Sequence, residues 1–377
     1  MRLMVEKKQI TETFKQLVQI NSLSLEEREM ADILKVELQN LGFEVDEDNT
    51  GDKINGNAGN VIAELAGDES LPSLLLSAHM DRVEPGINIK PVIKNGYLKS
   101  KGDTILAADD VAGITGILEA LKIVKDKNIP HGKIKVIFTV AEELGLQGAK
   151  NLDPIHYQDL DLGVVYDAEG KVGNIIYTGP TKAKFNAVIR GQASHAGISP
   201  NKGVNAIKIS SLSISAMNLG QIDNDTTANI GVIRGGVARN IVPDLVELEG
   251  EARSQKNTKL KQQINHMKGI INKYVNKYKG EVDFNIEVLY HNFSLDLDSD
   301  IINILNKAAE KIGLEVDFLE SCGGNDANIF NNQGLPTANL GIGMENAHSK
   351  IEKIKIKYLQ QLVEYTVSII KTCSEWS

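Results

Sequence analysis

The sequence predicts an α/β fold with a mostly parallel sheet, interrupted by a smaller α+β domain. Apolar, strand-like runs alternate with stretches of helical periodicity, which is typical of helices packed over a parallel sheet. This alternation stops near residue 182 and returns after residue 293. The strand-like runs of the first part lie at residues 60–65, 73–77, 133–140 and 162–166.

Turn and cap signals support the first elements of this prediction. Ser24 followed by Glu27 predicts a capping box for a helix that runs through Leu41 and ends at Gly42. Asn95-Gly96 predicts a hairpin turn, and the next helix is expected at residues 110–127. Near the other end of the chain we expect helices at 300–312 and 354–371, with a strand at 337–342 between them.

The middle of the chain predicts a compact unit of its own. Its order of strand, helix, two strands, helix and strand indicates a ferredoxin-like fold. The chain has 377 residues, more than the roughly 250 to 300 at which one hydrophobic core stops growing. We therefore expect a catalytic domain in two parts, residues 1–180 and 294–377, interrupted by a lid at residues 181–293.

Composition excludes several classes of partner. The net charge of −9 and the lack of a basic tract argue against nucleic acids and anionic membranes. No apolar stretch approaches the ~20 residues of a membrane span, and the start does not resemble a signal sequence. The expected location is therefore the cytosol, where the two cysteines, Cys322 and Cys373, would be reduced.

Histidines and carboxylates stand at the ends of predicted strands or at the start of a helix. In open α/β sheets, ligands gather beyond the carboxyl ends of the strands. Two histidines with several carboxylates match the ligand set of a hydrolytic site with two metal ions. The residues concerned are His79, Asp81, Asp109, Asp110, Glu142, Glu143, Asp167 and His348.

Each of these residues also has an ordinary structural interpretation. A histidine and an aspartate two residues apart, as in HxD, often form only a hydrogen-bonded pair. Asp109 and Asp110 suit a helix cap. Paired glutamates are common on solvated turns. The ordered combination favours the metal site. In this interpretation Asp109 bridges two cations, Asp110 is structural, Glu143 coordinates, and Glu142 transfers a proton.

Taken together, the motifs resemble the aminoacylase and carboxypeptidase family of dinuclear zinc hydrolases, most closely its peptidase T (tripeptide aminopeptidase) branch. The resemblance covers nearly the whole chain. The motifs occur in the family order: His79-Met80-Asp81, Ala108-Asp109-Asp110, Glu142-Glu143-Leu144-Gly145, Asp167, Ser194-His195-Ala196-Gly197, Gly323-Gly324-Asn325-Asp326 and Asn346-Ala347-His348.

The resemblance implies a role for each metal-site residue. His79 and Asp167 would bind one zinc ion, Glu143 and His348 the other, and Asp109 both. Asp81 would orient His79, and Glu142 would act as general base and acid. Cobalt or manganese could occupy the same ligands.

The resemblance also assigns functions to the middle domain. It would be a lid and the dimerisation domain of a homodimer. His195 would reach the active site of the neighbouring subunit and stabilise the oxyanion, although alone it would suit a small-residue loop. Asn240 and Arg253 resemble substrate-contacting residues, and Arg253 could present two donors to a terminal carboxylate.

These expectations favour hydrolysis of short peptides, with release of the N-terminal residue from tripeptides. A dipeptidase, an N-acyl amino acid hydrolase and a carboxypeptidase remain alternatives, because related sites cleave many amides. A non-catalytic peptide-binding protein is a further alternative, which the presence of Glu142 disfavours. Arg82 departs from the small or β-branched residue usual in the family, and would either alter specificity or point outward.

Overall fold

The fold comes from a computed structural model that describes residues 7–376. Within this range the chain forms ten α-helices. They are α1 (Lys7–Gln19), α2 (Arg28–Leu41), α3 (Thr50–Ile54), α4 (Ala108–Asp126), α5 (Gln147–Asn151), α6 (Ala206–Ala216), α7 (Asn257–Tyr278), α8 (Asp300–Ile312), α9 (Asp326–Asn332) and α10 (Ile356–Cys373). No helix of the described range is long and apolar enough to cross a lipid bilayer.

The same range contains twenty strands. They are β1 (Glu44–Glu47), β2 (Val61–Leu65), β3 (Leu74–His79), β4 (Pro91–Lys94), β5 (Tyr97–Ser100), β6 (Ile134–Thr139), β7 (Leu162–Ala168), β8 (Asn174–Gly179), β9 (Thr181–Arg190), β10 (Ser194–His195), β11 (Gly220–Gln221), β12 (Thr226–Gly235), β13 (Ile241–Val242), β14 (Leu245–Ser254), β15 (Glu281–Tyr290), β16 (Phe293–Ser294), β17 (Asp317–Glu320), β18 (Thr337–Gly341), β19 (Met344–Glu345) and β20 (Lys353–Lys355). The strands and helices predicted from periodicity are present.

The chain divides into two compact units. The first comprises the described chain up to Tyr177 together with Ser294–Glu320 and the part from Asn325 onward. The second comprises Thr178–Phe293 and Ser321–Gly324. Each unit has its own apolar core.

A nine-stranded sheet organises the first unit. Its order is β1-β2-β6-β3-β7-β18-β8-β16, and β17 pairs with β8. The central pairs β6/β3, β3/β7 and β7/β18 are parallel, whereas β1/β2, β2/β6 and β18/β8 are antiparallel. The predicted α/β class is confirmed, with the parallel pairs at the centre of a mixed sheet.

Burial explains why the central strands read as continuous apolar runs. Every residue of β3 and β6 is buried, as expected where helices cover both faces of a parallel sheet. Helix α4 is buried along most of its length and packs against α10. A Cβ on Gly116 would lie 2.8 Å from Leu362, so glycine allows the close approach of these two helices.

The hairpin prediction is confirmed, whereas the capping-box prediction is wrong. Strands β4 and β5 pair through Lys94 and Tyr97, and the turn residues Asn95 and Gly96 have positive φ of 52° and 78°, as a type I′ turn requires. Helix α2 begins at Arg28, and its N-cap residue, Glu27, makes no side-chain capping hydrogen bond. The carboxylate of Glu27 instead accepts hydrogen bonds from the amides of Leu25 and of Ala141.

The second unit contains an antiparallel sheet in the order β11-β12-β14-β9-β15. Helices α6 and α7 follow β9 and β14 along the chain and pack on this sheet. Along the chain β9, α6, β12, β14, α7 and β15 follow one another as strand, helix, two strands, helix and strand, with the short strands β10, β11 and β13 between them. A short ribbon of β10 and β13 joins His195 to Ile241 in register.

Glu47, at the end of β1, anchors helix α2 to the sheet. Its two carboxylate oxygens each lie 2.7 Å from a guanidinium nitrogen of Arg28, and Oε2 lies 2.6 Å from Lys35 Nζ. Partial burial opposes ionisation, but the hydrogen bonds from Arg28 and Lys35 prevail and lower the pKa of Glu47 to about 2.

We expect Glu47→Gln to destabilise the protein at pH 7 by on the order of 1 kcal/mol, a figure discounted for solvent screening. A depressed pKa stabilises the fold above the unfolded value of 4.5, and this contribution disappears as the pH falls towards about 2. Urea unfolding at several pH values should therefore show the variant and the wild type converging below pH 4.5. Glu44→Gln, exposed on the same strand, is the control; a difference that is independent of pH would contradict the ion-pair explanation.

Candidate metal centre

Three parallel strands bring several of the predicted site residues to one edge of the sheet. His79 is the last residue of β3, and Asp167 is the penultimate residue of β7. Glu142 and Glu143 follow shortly after β6. Because β6, β3 and β7 run parallel, their carboxyl ends meet at this edge.

A first group of candidate ligands consists of His79, Asp109 and Asp167. One ligand atom from each lies within 4.8 Å of the others. His79 Nε2 is 2.9 Å from Asp109 Oδ1 and 3.6 Å from Asp167 Oδ1. Imidazole nitrogen and carboxylate oxygen are ligands that Zn²⁺ prefers.

A second group consists of Asp109, Glu143 and His348. His348 Nε2 lies 2.7 Å from Glu143 Oε1 and 3.1 Å from Asp109 Oδ2. Asp109 thus directs Oδ1 towards the first group and Oδ2 towards the second. This is the geometry expected of a carboxylate that bridges two cations.

The donor set fits two divalent cations better than a network of hydrogen bonds. Each histidine directs Nε2 at two carboxylates, although a ring N–H can serve only one acceptor well. Glu143 Oε1 is buried and lies 2.7 Å from His348 Nε2. In each group the ligand atoms converge as the ligands of one ion would.

The electrostatics of the two groups support the same conclusion. Burial, reinforced by the charge of Asp109, raises the pKa of Asp167 to about 7. Contacts with Asp109 and Glu143 raise the pKa of His348 to about 10. Buried carboxylates that repel one another are stabilised by cations, so bound metal ions would relieve this crowding.

Asp81 holds both His79 and the loop after β6. His79 Nδ1 lies 3.0 Å from the Asp81 backbone carbonyl and 3.3 Å from its Oδ1. The carboxylate also accepts hydrogen bonds from the amides of Glu142 at 2.9 Å and Glu143 at 3.3 Å. The sequence indicated only the contact with the histidine.

Asp110 lies behind the ligands. Its Oδ2 accepts a hydrogen bond from the His79 amide, and its Oδ1 accepts one from the Gly113 amide, both at 3.1 Å. A Cβ on Gly113 would lie 2.6 Å from the Tyr166 carbonyl, so glycine lets the start of α4 approach β7. Asp110 therefore organises the backbone, as predicted.

Glu142 is buried beside the ligand groups. Burial and the charges of Asp167, Asp326 and Glu143 raise its pKa well above the ordinary value, while His79 opposes the shift. Asp326 is itself buried, and its Oδ2 accepts a hydrogen bond from the Thr139 hydroxyl at 2.6 Å. Sequence reasoning assigned Asp326 only to a glycine-rich motif.

Two further buried carboxylates near the ligands were missed. Glu27, which was predicted to belong to a helix cap, accepts a hydrogen bond from the Ala141 amide at 3.0 Å, just before Glu142. Ser24, its predicted partner, donates to Asp81 Oδ2 at 2.6 Å. Glu352 binds three amides around Asp109; its position four residues after His348 was the only sequence signal.

Arg82 does not point outward, and that expectation is wrong. Its side chain is 1% exposed, and Nη1 donates to the Val18 carbonyl at 2.9 Å. Burial lowers the pKa of the guanidinium to about 10, while Glu352 and Asp81 oppose this shift. Arg82 is thus a buried cation near two carboxylates that organise the site.

The remaining predicted residues lie in the second unit. His195 is exposed, and its Nδ1 accepts hydrogen bonds from the amides of Gly197 and Ile198 at 3.2 and 3.1 Å. The Asn240 carbonyl accepts the Ala196 amide at 2.9 Å. Arg253 donates from Nε to Glu251 Oε1 at 2.8 Å.

Comparison with known proteins identifies the family. Residues 75–372 match Peptidase family M20/M25/M40. The chain belongs to this family. The predictions of an enzyme and of a peptidase are thereby confirmed.

Relatives extend over the whole chain. The chain is 43% identical over 372 residues to YqjE of Bacillus subtilis, covering 99% of this chain and 100% of that protein. It is 28% identical to Peptidase T of Clostridium perfringens, with 92% of each chain covered.

Two solved structures support the same assignment. Aminopeptidase PepT from Bacillus cereus is 41% identical with a TM-score of 0.89, covering 98% of this chain and 99% of that chain. A tripeptidase from Staphylococcus aureus is 38% identical with a TM-score of 0.94, covering 99% and 100%.

Proposed function

We propose that this M20 peptidase releases the N-terminal residue from short peptides, with tripeptides as its main substrates. The observation that carries the proposal is the pair of ligand groups that share Asp109. The similarity to proteins described as an aminopeptidase and a tripeptidase supports the choice of substrate.

In this proposal two zinc ions are held by the residues of the two groups. His79 and Asp167 would bind one ion, Glu143 and His348 the other, and Asp109 both. When bound, such ions supply Lewis acidity that polarises a carbonyl and makes water a nucleophile near neutral pH. Cobalt and manganese accept the same ligands, so the metal must be determined by measurement.

Glu142 would transfer the proton. It accepts the proton of the attacking water and delivers it to the amine that leaves when the peptide bond breaks. Burial and neighbouring carboxylates raise the pKa of Glu142, which makes its carboxylate a stronger base for the water proton. The hydrogen bond from its amide to Asp81 holds its backbone relative to His79.

Residues of the second unit would bind the substrate. We propose that residues 181–293 form a lid and dimerisation domain of a homodimer, and that Asn240 and Arg253 contact the peptide. Because Arg253 uses Nε to bind Glu251, its two terminal nitrogens can face a substrate carboxylate.

His195 would stabilise the oxyanion in the active site of the partner subunit. Its Nδ1 accepts two amide hydrogens, so the neutral ring carries its proton on Nε2. An exposed Nε2–H is a suitable donor to the oxygen that becomes negative when water attacks a peptide carbonyl.

The substrate proposal is tested with free and N-acetylated di-, tri- and tetrapeptides, after chelation and zinc readdition, with products identified by mass spectrometry. We expect zinc-dependent release of the N-terminal residue, fastest from free tripeptides. Preference for blocked peptides would favour an acylase or carboxypeptidase. Peptide binding without cleavage would favour a binding protein.

Glu142→Gln should bind two metal ions like the wild type but lose about 10²- to 10⁴-fold in kcat, the usual contribution of a positioned general base. Metal analysis and steady-state kinetics test this. Asp161→Asn is the control, because Asp161 binds Ser73 at the opposite end of the strands and should leave kcat unchanged. A near-normal kcat for Glu142→Gln would exclude this role.

Mixing His195→Ala with Glu142→Gln subunits tests the shared site. A mixed dimer contains one site with both groups intact, so random mixing should restore about a quarter of wild-type activity. Each variant on its own should have far less activity than the mixture. No recovery, despite mixed dimers detected by native mass spectrometry, would rule out action of His195 across the dimer.

A further inference from the structure

Glu352 is a buried carboxylate for which the proposed mechanism has no use. It lies between β19 and β20, four residues after His348, and is 2% exposed. Its Oε2 accepts hydrogen bonds from the amides of Leu106 and Ala107, both at 2.8 Å. Its Oε1 accepts one from the Asp109 amide at 3.1 Å.

The three amides belong to the segment that places Asp109. Ala107 has a positive φ of 59°, and Asp109 has non-helical φ and ψ of −81° and 104°. Neighbouring backbone amides around a left-handed residue can form a concave site for an anion, and here the Glu352 carboxylate accepts hydrogen bonds from three of them. An alanine rarely adopts positive φ, so this binding stabilises an otherwise unfavourable backbone.

The same carboxylate belongs to the loop that carries His348. This loop is held at its other end by Glu169, whose Oε1 accepts the Asn346 amide at 2.7 Å. Between these anchors His348 has a positive φ of 60°, and its side chain is 51% exposed. Since packing restrains His348 little, the anchors of the loop determine where its ring lies.

Glu352 therefore links two ligands that are far apart in sequence. Glu352 is 246 residues from Leu106. It lies in the loop that carries His348, and from there it binds the backbone amide of Asp109. Both ligands belong to the Asp109–Glu143–His348 group. His79 and Asp167, the other ligands of the first group, lie on strands of the main sheet and do not depend on this contact.

We propose that Glu352 is a positioning residue for the divalent-cation position formed by Asp109, Glu143 and His348. It holds the His348 loop against the backbone before Asp109, so that the ligands are assembled before the ion binds. This inference rests on the two-metal site of the proposed function. It predicts that loss of Glu352 weakens this cation position much more than the other, which shares Asp109 but takes His79 and Asp167 from strands of the main sheet.

The experiment is a Co²⁺ titration of metal-free full-length protein, followed by visible absorption and equilibrium dialysis. The wild type should bind two ions. Glu352→Gln keeps the size of the side chain but presents an amide nitrogen to the backbone amides. It should bind one ion within a few-fold of the wild-type affinity and the other about 10- to 100-fold more weakly, the usual effect of losing a residue that orients metal ligands.

Excess metal separates positioning from a general loss of structure. At saturating Zn²⁺ the Glu352→Gln variant should regain a kcat within a few-fold of the wild type, because its ligands are all present. Asp48→Asn is the matched control. Asp48 likewise accepts hydrogen bonds from two backbone amides, those of Thr50 and Asn60, at 2.9 and 2.8 Å, and its loss should leave both Co²⁺ affinities unchanged.

Unchanged affinity for both ions in Glu352→Gln, or equal weakening of both, would overturn the inference. Should this variant fail to fold, Glu352→Asp replaces it: the charge remains, but the shorter side chain cannot reach all three amides. The same selective weakening is expected, and wild-type affinities would again overturn the inference. A wild type that binds fewer than two ions would instead overturn the two-metal proposal.

Discussion

The carboxylate of Asp109 is the group on which the candidate site depends. One of its oxygens faces His79, and the other faces His348. A carboxylate can serve two cations only if its backbone is held so that both oxygens point inward. In this protein that orientation comes from backbone conformation, since Asp109 lies where helix α4 begins with non-helical φ and ψ.

The sheet and the loops contribute differently to this arrangement. Parallel, fully buried strands place His79 and Asp167 side by side, because neighbouring strands that run in one direction end at the same edge. The other ligands come from irregular backbone, whose positions depend on specific hydrogen bonds. Asp81 binds the amides of Glu142 and Glu143, and Glu352 binds those around Asp109. Carboxylates outside the two ligand groups thus position the residues within them.

Such a concentration of carboxylates has an electrostatic cost. Burial raises the pKa of Asp167 and Glu352, each to about 7, because a buried negative charge loses its hydration. Histidines, amides and the buried guanidinium of Arg82 offset part of this cost. Divalent cations would offset the rest, which makes metal binding and the stability of the site parts of one energy balance.

The sequence by itself determined the α/β class, the order of strands and helices, and the types of residue that meet at the sheet edge. These follow from local periodicity and from the rule that parallel strands end together. Only the tertiary structure decided which oxygen of Asp109 faces which group, and that Glu27 binds Ala141 rather than capping α2. It also decided that Arg82 is buried and that Glu352 holds the backbone of Asp109. The reason is physical: these contacts join residues up to 246 positions apart, and a side chain's partner over that separation depends on the course of the folded backbone.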